Sequence, residues 1–132
     1  MKEIAKVAKS IFYATKGLMH AYRTDESFRL EVVFGLPAYI LLTWLLFPFQ
    51  AWEALLFIFS YLLILIVELI NTAFETMLDK LHPQEHEAIG RSKDIASGAV
   101  LLAFIFAAVV VAVLCASRIP EDVPAQIVRP FV

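Results

Sequence analysis

The chain has one cysteine, four glycines and a charged fraction of only 18%. Cys115, alone among small apolar neighbours, forms no intrachain disulfide and reads as a packing residue. No glycine-rich loop is present to cradle phosphates, which excludes a P-loop nucleotide site, so nucleotide binding must use side chains. Met1–Arg29 has no continuous apolar core, so no cleavable signal peptide is expected. The turn Pro48-Phe-Gln-Ala-Trp52 contains no basic residue. What is abundant is apolar surface: 61% of the 132 residues are hydrophobic and the mean hydropathy is +0.76. A soluble domain of this length could not bury that much, so the class is membrane protein. The formal net charge of −2 matters less than where the charges lie.

Three apolar stretches stand out, Val32–Phe49, Ala54–Val67 and Ala99–Ala116. Crossing hydrocarbon takes about 20 helical residues. The middle stretch must therefore continue into the polar residues after Val67 to cross. Lys and Arg concentrate before the first stretch (Lys2, Lys6, Lys9, Lys16, Arg23, Arg29) and between the second and third (Lys80, Arg91, Lys93). By the positive-inside rule both segments are cytoplasmic and the C-terminus is outside. Met1–Arg29 itself reads as an amphipathic helix, Ile4, Val7, Ile11, Leu18 and Tyr22 on one face and Lys6, Lys9, Tyr13, Lys16 and His20 on another, suited to the membrane interface. The expectation is an all-α membrane protein with a single domain over 1–132. It comprises a surface helix and lead-in (1–29), three spanning helices (30–118) and a Pro-rich tail (119–132) without periodicity, expected to be flexible.

The polar end of the middle helix carries the most information. Glu68, Asn71, Glu75 and Asp79 step by three or four residues and share one helical face. An ionisable residue at membrane depth is costly and marks a functional site by default. Glu68 is placed to accept the proton of a lipid hydroxyl as a general base. Asn71 can orient a carboxylate or a phosphate oxygen, or join helices. Glu75 lies nearer water, where Mg²⁺ on a nucleotide is reached. Mg²⁺ takes one or two protein carboxylates plus phosphate oxygens, so a second carboxylate is expected from Asp25 or Glu26. Lys93, Asp94 and Ser97 fall within about one turn on the third helix, and a cation there balances triphosphate charge. His82-Pro-Gln-Glu-His86 matches an inverted zinc-protease pattern, but Pro83 suits a helix start better than its interior and no third ligand is evident.

The segments Lys16-Gly-Leu18, Phe28-Arg29 with Glu31, Glu68-Leu-Ile-Asn-Thr-Ala-Phe-Glu75 with Asp79, and Gly90-Arg-Ser-Lys-Asp94 with Ser97-Gly-Ala-Val100 resemble the prokaryotic diacylglycerol kinase family, which includes undecaprenol kinases. The resemblance spreads over most of residues 6–117. It implies a bacterial inner-membrane homotrimer that transfers the ATP γ-phosphate to a lipid alcohol with Mg²⁺ as cofactor, converting diacylglycerol to phosphatidic acid. No nucleic-acid partner is expected. By this resemblance Glu68 is the catalytic base, and Glu75 and Asp25 are the metal carboxylates. Asp25 stands where the family usually has Glu, one methylene longer. ATP contacts are implied at Lys6, Tyr13, Asp25, Glu75, Gln84, Glu85, His86, Lys93 and Asp94. Lipid contacts are implied at Lys6, Ser10, Tyr13, Thr15, Met19, Tyr22, Ser27, Glu31, Glu68 and Ser97, with Asn71 and Asp79 in support. The alternatives are an undecaprenol acceptor and, outside the enzyme class, a small oligomeric channel or transporter. Three spans without repeated halves or broken helices weaken a carrier reading.

Overall fold

The computed structural model describes residues 2–84 and 86–119. The nucleotide contact expected of Glu85 and the tail beyond Ile119 lie outside them. Among the described residues every regular element is a helix: α1 (Lys2–Thr24), α2 (Glu26–Leu30), a π-turn (Glu31–Gly35), α3 (Leu36–Leu46), α4 (Ala51–Leu81) and α5 (Glu87–Ala116). From α2 through α3 the backbone forms one 21-residue apolar unit, Glu26–Leu46. This unit, α4 and α5 are the three helices long and apolar enough to cross a membrane.

The boundary between surface helix and first span falls at Asp25, earlier than the lead-in to residue 29 anticipated. Asp25 adopts extended dihedrals (φ −100°, ψ 124°) and its side chain accepts the Phe28 backbone N–H, capping α2. An aspartate at this position satisfies an otherwise orphaned donor and starts a new helix. On α1, the apolar residues Ile4, Val7 and Ile11 are exposed, as an interfacial helix requires. Ala21 is its buried contact with the bundle.

The middle helix is longer than the apolar stretch alone, as its polar continuation demanded. At about 1.5 Å per residue its 31 residues reach roughly 46 Å, against a hydrocarbon core of about 30 Å. A capping box starts it, Gln50 and Glu53 bonding reciprocally. Its buried positions, Glu53, Phe57, Ser60, Ile64, Glu68 and Asn71, form one stripe at steps of three and four. α5 lays Ala103, Ala107, Val110 and Leu114 against that stripe. Ala103 and Ala107 join Ile64 in one core cluster, small side chains permitting the close helix approach that replaces hydrophobic driving force in lipid.

The first span closes the other side through aromatics. The Tyr39 ring lies 4.6 Å from Phe57 and 4.7 Å from Tyr61 between centroids. Ser60 Oγ donates to the Phe57 carbonyl at 2.7 Å. Its single proton is thereby spent, so the Tyr39 hydroxyl is the donor in the 3.1 Å contact with Ser60 Oγ. Hydroxyls at this depth need internal partners because lipid offers none. Trp44, Phe47 and Trp52 are exposed around the α3–α4 turn, the usual place for an aromatic belt at a membrane boundary.

Candidate active site

Near the α1 end of the bundle, the first span, α4 and α5 enclose a cleft of about 410 Å³. Asp25, Ser27, Leu30 and Glu31 line it from the first span, Glu68, Asn71 and Glu75 from α4, and Ser97, Val100 and Phe104 from α5. Among the described residues this lining holds four carboxylates and no lysine or arginine. Glu68 and Asn71 are buried, at 4% and 8% exposure. Charges so placed repel one another in a medium that screens poorly, and no described residue in the lining offsets them with a positive charge.

Neutral donors fix the direction of the carboxylates. Asp25 Oδ1 accepts the Phe28 N–H at 2.7 Å and Asp25 Oδ2 accepts the Thr72 hydroxyl at 3.0 Å. Asn71 Nδ2 donates to Glu75 Oε1 at 3.1 Å. Two buried acceptors, Asn71 Oδ1 and Glu31 Oε2, have no hydrogen-bond partner. Buried polar atoms are nearly always satisfied, so these two are open to a donor from outside the described residues.

Glu31 enters the cleft from the π-turn, Glu31–Gly35. Single π-turns inside helices are rare and recur at functional sites. Here Tyr61 pins the turn, its hydroxyl donating to the Glu31 carbonyl at 3.0 Å. A side chain at Gly35 would put Cβ 3.1 Å from the Tyr61 ring, so glycine keeps that ring close. A second, mostly apolar cleft of about 450 Å³ runs on past Glu31 and Phe104 along Tyr39, Tyr61 and Ala107.

The remaining site residues gather elsewhere. Asp79, His82, Pro83, Gln84, His86, Glu87, Gly90 and Lys93 line a polar cleft of about 600 Å³ at the α4–α5 turn. Within it Lys93 Nζ pairs with Asp79 Oδ1. His86 caps α5 by accepting the Ala88 N–H at 3.2 Å. α4 ends at Leu81 and α5 starts at Glu87, so His82 and His86 do not share a helix and the zinc pattern is formal only. Lys6, Ser10, Tyr13, Thr15, Met19 and Tyr22 lie exposed along α1, and Asp94 is exposed on α5; none is among the residues lining the carboxylate cleft. Lys9 stands over the Tyr13 ring, 5.8 Å from its centroid.

Among the described residues no three His, Cys, Asp or Glu side chains converge tightly enough to hold a metal ion by themselves. The donor set that is present suits a hard cation: Asp25 and Glu75 offer oxygens only, each already oriented by a neutral donor. Mg²⁺ characteristically completes so sparse a set with phosphate oxygens and water.

Sequence reasoning passed over three features. Thr72 is polar and one residue past Asn71, a visible signal that went unused. Tyr61, a hydroxyl deep in an apolar run, needed a partner and so announced a contact. Glu53 pairs with Arg118, whose guanidinium donates to both Glu53 oxygens at 3.0 and 2.8 Å and to the carbonyls of Leu46 and Pro48 at 3.1 and 3.0 Å. The bonds to the Glu53 carboxylate raise the Arg118 pKa above its ordinary value.

Residues 12–115 match the family model for prokaryotic diacylglycerol kinase. The diacylglycerol kinase of Escherichia coli K12 is 38% identical over 104 residues, covering 79% of this chain and 84% of the relative. That of Haemophilus influenzae is 34% identical over 107 residues, covering 81% and 89%. That of Helicobacter pylori J99 is 31% identical over 105 residues, covering 80% of each.

Proposed function

The chain belongs to the prokaryotic diacylglycerol kinase family, and we propose that it transfers the γ-phosphate of ATP to the hydroxyl of a diacylglycerol, with Glu68 as general base. The observation that carries this reading is a cleft between the first span, α4 and α5 with four carboxylates and no lysine or arginine in its lining among the described residues, Glu68 being buried within it.

The lipid hydroxyl sits against Glu68. As its oxygen bonds to the γ-phosphorus, its proton passes to the Glu68 carboxylate and the bond to the β–γ bridging oxygen breaks. The products are a phosphatidic acid and ADP. Asp25 and Glu75 would hold Mg²⁺, which would supply charge neutralisation at the phosphate oxygens. Asn71 holds Glu75 in place. Lys93, which rests on Asp79, exchanges that partner for a phosphate. The polar cleft at the α4–α5 turn, with Gln84 and His86, receives the nucleotide, and Lys6, Tyr13 and Asp94 contribute from α1 and α5. Lipid contacts fall to Ser10, Thr15, Met19 and Tyr22 on α1 and to Ser27, Glu31 and Ser97 in the cleft. Catalysis of this kind is positioning and electrostatics, without a covalent phospho-enzyme.

A homotrimer is what the family resemblance implies, and the spread of these residues over separate clefts fits sites shared between its subunits. The basic residues before Glu26 and those flanking the α4–α5 turn (Lys80, Arg91 and Lys93) orient both regions to the cytoplasm of a bacterial inner membrane, where ATP is available.

Purified Glu68→Gln is expected to bind Mg²⁺–ATP while losing about 10²–10⁴ in transfer rate, the usual contribution of a general base. Substantial retained activity would remove Glu68 from that role. Turnover of diacylglycerol and undecaprenol side by side in mixed micelles tests the acceptor; faster turnover of undecaprenol would overturn the diacylglycerol assignment.

A further inference from the structure

Asp25 is short for its task. It belongs to the first span, its Cα lies at the very start of α2, and its carboxylate must be presented to a face of α4. Two donors hold it there: the Phe28 N–H on Oδ1 at 2.7 Å and the Thr72 hydroxyl on Oδ2 at 3.0 Å. The first is local to α2. The second is the tie across helices, from a residue 47 positions away.

Thr72 Oγ1 has two acceptors within reach, Asp25 Oδ2 and the Glu68 carbonyl at 2.9 Å, but only one proton. The Glu68 carbonyl lies within regular α4 and takes the backbone N–H four residues on. The Asp25 carboxylate is charged and is the stronger acceptor, so the proton goes to Asp25. Contact with the helix carbonyl in turn restricts the threonine rotamer, which gives Oγ1 a set position. Thr72 and its neighbour Asn71 thus play matching parts. Each is an uncharged donor on α4, one aimed at Asp25 and the other at Glu75. Neither cancels the charge of the carboxylate it orients, and each carboxylate keeps lone pairs for a cation.

We propose that Thr72 is the positioning residue for the divalent-cation site: it carries Asp25 across from the first span and sets the direction of its free lone pairs. The proposal rests on the reading that Asp25 and Glu75 hold the cation. The test is a Mn²⁺ titration followed by electron paramagnetic resonance on the purified full-length chain, with a non-hydrolysable ATP analogue present. It compares wild type, Thr72→Val, Thr72→Ser and Asp25→Asn. Loss of an outer-shell partner typically weakens metal binding about 10–100-fold. Thr72→Val, which keeps the shape and loses the hydroxyl, is expected to fall in that range, and Thr72→Ser to recover most of the affinity. In turnover, Thr72→Val is expected to raise the Mg²⁺ requirement more than it lowers kcat at saturating Mg²⁺. Wild-type Mn²⁺ affinity in Thr72→Val alongside loss in Asp25→Asn overturns the inference alone. Equal loss in Thr72→Ser and Thr72→Val also overturns it, since the hydroxyl is then not responsible. Wild-type affinity in Asp25→Asn overturns both the inference and the reading beneath it. Should Thr72→Val fail to fold, Thr72→Ala carries the same comparison.

Discussion

Glu53 and Glu68 lie on the same buried stripe of α4, each only 4% exposed, separated along the axis by roughly 22 Å at 1.5 Å per residue. Their surroundings are opposite. Glu53 meets the Arg118 guanidinium through both oxygens, and Glu53 Oε2 also accepts the Gln50 N–H at 2.9 Å. Glu68 shares its cleft with three more carboxylates and, among the described residues, no lysine or arginine. Burial of an acid in a membrane helix is therefore not the mark of a reacting group. What sets Glu68 apart is burial without a counter-charge among the described residues. At one end the chain closes its own electrostatics and ties the segment after α5 to the α3–α4 turn; at the other it leaves them open, where the proposed reaction puts its substrate and cation.

The sharpest way to break this comparison is to neutralise each acid in turn. Glu68→Gln is expected to slow transfer by the factor given above, while leaving the thermal midpoint in detergent unchanged or raised, because it removes repulsion. Glu53→Gln is expected to lower that midpoint by several degrees while turnover per folded molecule stays near wild type. The reverse pattern, measured by melting and by radiolabelled phosphate transfer, would erase the distinction.

Next in size comes the clamp's other half. Arg118→Met leaves Glu53 buried without its cation, and removing one partner of a buried pair costs more than replacing both. The double variant Glu53→Gln/Arg118→Met is expected to melt above Arg118→Met alone. Additive losses in the double-mutant cycle would show that the two side chains act independently.

A smaller effect is expected at the π-turn. Tyr61→Phe removes the hydrogen bond to the Glu31 carbonyl, worth about 1 kcal/mol of stability. It also frees the turn that aims Glu31 into the cleft, so KM for the lipid should rise in the same variant. Unchanged lipid KM would separate the turn from substrate recognition.

The smallest is Asp79→Asn. Its ion pair with Lys93 is exposed on the Asp79 side, and such pairs contribute under about 1 kcal/mol and fade with salt. Denaturation of wild type and variant at low and high ionic strength is expected to converge as salt is added. A salt-independent gap would mean that Asp79 does more than pair.

The fold was legible because its signals are long and redundant. Three apolar stretches, a basic amphipathic start and a polar face on the middle helix are properties of many residues at once, so no single contact decides them. The α4 wall of the carboxylate cleft was legible for the same reason, Glu68, Asn71 and Glu75 being fixed to one face by helical periodicity. Two things were not legible. The end of the surface helix at Thr24 hinged on a local competition, the Asp25 cap against helix continuation. The pairing of Glu53 with Arg118 joins residues 65 apart, and nothing local in either neighbourhood names the other.

The sequence alone determined that this chain is helical, crosses a membrane three times and carries a row of acids and amides on its middle helix, because helix periodicity and apolar length are read directly from residue order. The tertiary structure alone decided which acids meet a cation and which only a neutral donor. That depends on which distant side chain, the Arg118 guanidinium for Glu53 or the Thr72 hydroxyl for Asp25, arrives within hydrogen-bonding distance. Such arrivals follow from the packing of whole helices, small alanines of α5 against α4 and tyrosines of the first span against the same stripe, which no local pattern encodes.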